Sequence, residues 1–60
     1  MIRIQVELSE ELAESFAEFL KRAGYHNYRP LAKSEEEAYA MQDAGDKLRA
    51  AFAEQGYAPR

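Results

Sequence analysis

The sequence of 60 residues contains no cysteine, and its single histidine is His26. Without cysteine neither a disulfide nor a thiolate metal site can form, and one histidine leaves no ligand spacing typical of zinc sites. A chain of this length buries only about 60% of its unfolded surface, so a lone core gives marginal stability. Small domains usually add a disulfide, a metal or a second subunit. We therefore expect a homodimer, and the lack of cysteine fits a reducing compartment.

Long apolar runs are missing as well. The opening residues, MIRIQVELSEE, have no apolar run as long as that of a signal peptide, and no stretch approaches the length of a membrane-spanning helix. We expect a cytoplasmic protein that does not bind a membrane. The net charge of −3 argues against bulk electrostatic binding of nucleic acid, although a local basic patch is compatible with that total.

Residues 2–8 alternate between apolar and polar side chains. The apolar set is Ile2, Ile4, Val6 and Leu8, and the polar set is Arg3, Gln5 and Glu7. Alternation with period two and β-branched residues predicts a half-buried strand. No second strand pattern follows, so we expect this strand to pair with its copy in a second subunit across a two-fold axis.

The first predicted helix spans residues 9–23. Ser9 is a good N-cap, and Gly24 suits the left-handed position at which helices end. The apolar stripe of this helix comprises Leu12, Phe16, Phe19, Leu20 and Ala23. The spacing of the stripe is typical of an amphipathic helix that packs one face on a core.

The second predicted helix spans residues 34–55 and is followed by a short tail, residues 56–60. Ser34 and Glu37 form the Ser-x-x-Glu pattern of a capping box, and Gly56 is the predicted stop. The core stripe comprises Ala38, Met41, Ala44, Gly45, Leu48, Ala51 and Phe52. Together with the strand and the first helix, these elements predict one domain over residues 1–60.

Between the helices we predict a loop over residues 24–33, here called the basic aromatic segment. Its charges are all positive, whereas acidic residues crowd both sides of it. Such a segment can meet an acidic protein surface, or contact phosphates and stack on bases. A purely structural interpretation stays open, because Tyr25 suits a cap position and Pro30 fixes the connection. Tyr28, Arg29 and Lys33 have no such structural task, so we predict that they bind a partner.

Tyr39 is a further candidate for partner binding. At roughly 100° per residue, it lies almost opposite the middle of the core stripe of the second helix. The helix is therefore predicted to have a second, smaller contact face.

Catalysis finds little support in the sequence. His26 is the only general base suited to neutral pH, and its surroundings show no pattern, so a structural or exposed loop residue is the favoured interpretation. The run Glu35, Glu36 and Glu37 matches the first turn of a capped helix better than a metal cluster, because adjacent helical positions point in different directions. We predict no enzymatic activity, no metal, no cofactor and no small-molecule substrate.

The order strand, helix, helix, with the opening IRIQVELSEEL and the segment KSEEEAYAMQDA, resembles the ribbon-helix-helix DNA-binding proteins. The resemblance implies a dimer whose paired strands lie in the major groove, with Arg3, Gln5 and Glu7 outward. Arginine and glutamine are good readers of base edges, and glutamate can accept from cytosine. Two features depart from that family: the connection over residues 24–33 is long, and the second helix begins with three glutamates, which would repel a phosphate there.

Nearly the whole chain has a second resemblance. FAEFLKRAGYHNYR and EEEAYAMQDAGDKLRAAFAEQGYAPR are similar to a group of short, uncharacterised bacterial proteins associated with phages and mobile elements. This resemblance implies a complete bacterial protein that ends at Arg60, and it implies no activity or site.

The predicted fold is α+β and mostly α: a β-α-α chain, ribbon-helix-helix-like, with its strand paired across a two-fold dimer. The leading functional hypothesis is a small non-enzymatic interaction module that binds another macromolecule, a protein in preference to DNA, through Tyr28, Arg29 and Lys33 with Tyr39. The alternative is a ribbon-helix-helix DNA-binding regulator, repressor-like or antitoxin-like, that uses Arg3 and Gln5. The acidic start of the second helix favours the first hypothesis.

Overall fold

A computed structural model describes residues 1–57 of the chain. Its elements, in order, are helix α1 (Glu10–Arg22), the one-turn helix α2 (Tyr25–Tyr28), a 3₁₀ turn (Arg29–Leu31) and helix α3 (Glu35–Glu54). α1 packs against α3, and α2 and the 3₁₀ turn also pack on α3. The end of the predicted tail, residues 58–60, lies outside the described residues.

The predicted strand is absent. Residues 1–57 contain no β-strand, and residues 2–8 form an exposed segment without regular structure. The α+β prediction, with its ribbon-helix-helix-like strand pairing, is therefore wrong for the described chain, which is all-helical. The alternation has another cause: Ile4, Val6 and Leu8 line an apolar groove together with residues of the two long helices. An apolar pattern with a period of two shows which side of an extended segment is apolar. A β-strand also needs hydrogen bonds to a neighbouring backbone.

α1 begins as predicted and ends differently. Ser9 Oγ accepts a hydrogen bond from Leu12 N–H at 3.2 Å, which confirms the predicted N-cap. At the other end Ala23 already has an extended backbone, and Gly24 has φ −125° and ψ −176°, so the predicted left-handed glycine stop is wrong. Gly24 instead starts α2, where its N–H donates to Asn27 Oδ1 at 2.8 Å. The chain leaves α1 without a left-handed turn because a new helix follows at once.

The basic aromatic segment is largely helical rather than an irregular loop. α2 occupies the first half of the segment, and the 3₁₀ turn occupies most of the second half. Pro30 lies at the start of the 3₁₀ turn. The 3₁₀ turn ends at Ala32, whose backbone is extended and whose N–H donates to Arg29 O at 3.2 Å. Two short helical pieces thus connect the long helices and place the tyrosines of the segment against α3.

α3 begins and ends with local hydrogen bonds, and they match the prediction except that Glu37 accepts from the N–H of Lys33 and not from that of the cap residue Ser34. Ser34 Oγ accepts from Glu37 N–H at 3.1 Å, while Glu37 Oε1 accepts from Lys33 N–H at 3.0 Å. At the C-terminus Gly56 has φ 91°, and Tyr57 N–H donates to Phe52 O at 2.8 Å. Gly56 N–H also donates to Ala53 O at 3.0 Å, and these two bonds with the left-handed glycine form a Schellman motif, which confirms Gly56 as the stop.

We expect Gly56→Ala to lower the free energy of unfolding by about 1–2 kcal/mol, because an L side chain is disfavoured at positive φ. Gly24→Ala is the matched control: its φ is −125°, and at either glycine an added Cβ meets no atom within 4 Å. The control should change stability by less than about 0.5 kcal/mol. Urea unfolding at one fixed protein concentration measures both, and equal effects at the two glycines would contradict the assigned backbone conformations.

The core of the described chain is small. Its buried apolar residues are Ala13, Ala17, Leu20 and Ala38, with Gly45 also buried, and no large side chain is fully buried. Small residues at the contact allow the axes of α1 and α3 to approach closely. The predicted stripes are correct at Leu20, Ala38 and Gly45. On α1 the buried line includes Ala13 and Ala17, which the predicted stripe did not contain, and larger members of that stripe are exposed.

No helix in the described part of the chain is both long and apolar enough to cross a membrane.

Candidate interaction surfaces

Tyr25 connects the basic aromatic segment to α3. Its ring lies 4.9 Å, centre to centre, from the ring of Tyr39 at an interplanar angle of 37°. Tyr25 is half-buried, whereas Tyr39 keeps 52% of its surface exposed. The side of α3 that the sequence predicted to be a second contact face is thus partly covered by α2, and Tyr39 is presented to solvent on an aromatic support.

Tyr28 packs on the glycine in the middle of α3. A Cβ added at Gly45 would overlap Tyr28 Oη and would lie 3.4 Å from Tyr28 Cζ and 3.6 Å from Leu20 Cδ2. Gly45 is buried and Tyr28 half-buried. Close approach of another group therefore explains this glycine, and the approaching group is a tyrosine side chain. Tyr28, a predicted binding residue, has a packing role.

Arg29 and Lys33 are both exposed. The Arg29 guanidinium donates to Ala32 O at 3.4 Å, and Lys33 uses its backbone N–H for the Glu37 carboxylate. Within residues 1–57 the only ion pair joins Arg22 to Glu18 at 3.2 Å. The two cationic side chains of the segment therefore have no carboxylate partner in the part of the chain that the structure describes.

Arg3 and Gln5, the residues of the DNA-binding alternative, lie on the exposed N-terminal segment. Ile4 between them faces the helices. Because residues 2–8 form no strand, the two side chains are not displayed on a ribbon of the kind that the resemblance implies.

His26 is exposed, and its ring lies 6.0 Å from that of Tyr25 in an edge-on arrangement. Ser9 and Ser34 both use their hydroxyl oxygens as helix caps. Among residues 1–57, no group of three or more histidine, aspartate or glutamate side chains is arranged to hold a metal ion.

An apolar groove on the surface was not predicted from the sequence. The N-terminal segment, α1 and α3 enclose an open groove of about 540 Å³, here called the apolar groove, which is lined by Ile4, Val6, Leu8, Leu12, Phe16, Leu48, Ala51, Phe52 and Gln55. The ring of Phe16 lies 5.3 Å from that of Phe19 and 6.1 Å from that of Phe52, so aromatic contacts join α1 to α3. No charged side chain lines the groove itself, whereas Glu7 and Glu54 line an adjoining pocket that shares six of its residues.

The sequence contains a signal for this groove. Its large apolar residues from α1 and α3 belong to the predicted helix stripes, which were expected to lie in the core, and the others belong to the apolar side of residues 2–8. The alanines at positions 13 and 17, one turn apart beside Leu12 and Phe16, indicate a second, closely packed line on the same helix. Together, the line of small apolar residues and the line of large ones form an apolar surface that is wider than the area one neighbouring helix can cover.

A protein-family model described as "Family of unknown function (DUF7706)" matches residues 1–60. Neither a curated protein nor a solved structure matches the chain.

Proposed function

The chain belongs to this family of unknown function, and we propose that it is a small non-enzymatic module that binds another protein through the exposed side chains of Arg29, Lys33 and Tyr39. A bacterial setting linked to phages or mobile elements, and a cytoplasmic location, are parts of the same proposal. The partner surface is acidic, because it must complement two cations.

The observation that carries the proposal is a pair of exposed cations that form no ion pair within residues 1–57 and belong to the segment whose helical turns pack on α3, the helix of the exposed Tyr39. Arg29 and Lys33 have no carboxylate within ion-pair distance in residues 1–57, although the chain is acidic overall. Tyr39 is half exposed and rests on Tyr25 at 4.9 Å. Tyrosine and arginine are enriched at protein interfaces because they offer a large contact area with hydrogen-bonding groups.

Tyr28 contributes indirectly. Its ring packs at Gly45, so it holds the segment on α3 and leaves contact with the partner to its neighbours. Substitution of Tyr28 would therefore lower stability as well as binding, and Tyr28 is unsuited to a test of the binding surface.

The experiment is capture of partners by the tagged chain after cross-linking in bacterial cells, with two charge-matched variants. Arg29→Ala with Lys33→Ala should abolish capture of the specific partner, whereas Lys47→Ala with Arg49→Ala, exposed cations of α3, should leave it unchanged. With the purified partner, the first variant should weaken binding by about tenfold and the control by less than about twofold. Equal losses in both variants would reject a specific role for the segment.

DNA is the second arm of the test. Binding of fluorescent mixed-sequence duplex DNA is measured at low and at high salt with the same proteins. Steeply salt-dependent binding that is lost in Arg3→Ala with Gln5→Ala would favour a DNA-binding regulator over the protein-binding module. Under the proposal, the protein does not bind DNA even at low salt, because Glu35, Glu36 and Glu37 put negative charge at the start of α3.

A further inference from the structure

The core of one chain is small, and it gives the fold marginal stability. Three of its four buried apolar side chains are alanines, and no large side chain is fully buried in residues 1–57. Domains of this size are only marginally stable, and a chain without cysteine cannot obtain further stability from disulfides. A second polypeptide that covers apolar surface would supply it.

Six of the eleven large apolar side chains that are exposed in residues 1–57 line the apolar groove. Ile4 is 80% exposed, Leu12 58%, Leu48 47% and Phe16 43%, and all four line the apolar groove. The chain exposes 5406 Å² in total, whereas a globular monomer of its mass, 6.9 kDa, exposes about 4,000 Å². The excess is larger than the roughly 800 Å² that each partner buries in a standard interface.

Charge indicates what covers the groove. The protein has a net charge of −3, so repulsion between two copies is weakest where their contact surfaces carry no charge. The groove is such a surface, because its lining has no charged side chain and only Gln55 is polar. Interfaces of homodimers are likewise depleted of charge at their centres.

The constant presence of a second copy of the chain also favours that copy as the partner that covers the groove. A surface whose burial completes the core must be covered whenever the chain is folded, and a second copy is present wherever the chain is made. A two-fold contact places the same patch of each subunit against the other, so one groove is sufficient for both. We infer that the apolar groove is the interface of a two-fold homodimer, in which Leu12, Phe16 and Leu48 of each copy pack against the groove of the other. This contact is made by side chains, and it is separate from the surface around Arg29 and Lys33.

Sedimentation equilibrium is the first test. The wild-type chain should have twice its 6.9 kDa mass at micromolar concentration. Leu48→Glu, which puts a charge into the groove, should raise the dimer dissociation constant by at least about a hundredfold. Leu31→Glu is the matched control, since Leu31 is exposed to 83% and lies outside the groove, and it should leave the mass unchanged. A folded wild-type monomer, or a dimer that is unaffected by Leu48→Glu, would overturn the inference.

A wild-type measurement covers the case in which Leu48→Glu does not fold. In an equimolar mixture of ¹³C-labelled and unlabelled chains, isotope-filtered NMR should show intermolecular contacts of the Leu48 and Leu12 methyl groups. The midpoint of thermal unfolding should also rise with protein concentration, as mass action requires of a dimer. A dimer without these methyl contacts, or a midpoint independent of concentration, would contradict the inference. Arg29→Ala with Lys33→Ala should keep the dimer, which separates this result from that on partner binding.

Discussion

Ala38→Leu is expected to lower the free energy of unfolding by about 2–3 kcal/mol. The Ala38 side chain is fully buried in the core on α3, the helix on which every other helical element packs. Three extra carbon atoms at such a position force neighbouring side chains off their rotamers or separate the helices, and overpacking of this kind typically costs about 1–3 kcal/mol. Helix propensity gives no compensation, because alanine is a better helix former than leucine.

Ala40→Leu is the control for this prediction. Ala40 lies two residues further along α3 and is exposed, so the same added volume meets solvent there. Its effect should stay within about 0.5 kcal/mol. Urea unfolding followed by circular dichroism at one protein concentration measures both variants. A loss at position 40 as large as that at position 38 would show that the buried face of α3 is assigned wrongly.

The second large effect is expected at Gly45, and its sign depends on Tyr28. Gly45→Ala should destabilise the wild-type chain by about 1–2 kcal/mol, because the new methyl group overlaps Tyr28 Oη. In a Tyr28→Phe background the hydroxyl is gone, and the nearest remaining atoms would lie 3.4 Å and 3.6 Å away. Gly45→Ala should then stabilise the chain by up to about 1 kcal/mol, the difference in helix propensity between alanine and glycine.

A double-mutant cycle measures this coupling. The four proteins are the wild type, each single variant and the double variant, and the coupling free energy should be about 2 kcal/mol in favour of the double variant. Gly45→Ala that stabilises the chain to the same extent in both backgrounds would show that Tyr28 does not pack at Gly45. The free energies are compared at one protein concentration, because self-association would add a concentration-dependent term.

Helix ends were predictable wherever their hydrogen bonds are local. Ser9, Ser34 and Gly56 each bond within a few residues of sequence, and the structure confirms all three. Gly24 was predicted by the same rule and does not follow it, because the element that comes next decides how the chain leaves α1. A cap residue therefore predicts an end of a helix more reliably than it predicts the conformation at that end.

The candidate site was only partly predictable. Arg29, Lys33 and Tyr39 remain predicted contact residues, and all three are exposed. The role of Tyr28 was missed because its neighbour in space, Gly45, is distant in sequence. A glycine in the middle of α3 was the available signal, since it costs about 1 kcal/mol relative to alanine unless another group needs the space.

The sequence by itself determined the two long helices, three of their four caps, the contrast between acidic helices and a basic aromatic segment, and the apolar side of residues 2–8. All of these depend on interactions between residues close in the chain, or on the side-chain periods of helices and extended segments. Only the tertiary structure decided that residues 2–8 form no strand, that α1 buries Ala13 and Ala17, and that Leu12 and Phe16 line an open groove. Apolar periodicity identifies an arc of a helix, whereas the part of that arc that becomes buried depends on which distant residues are small enough to allow close packing.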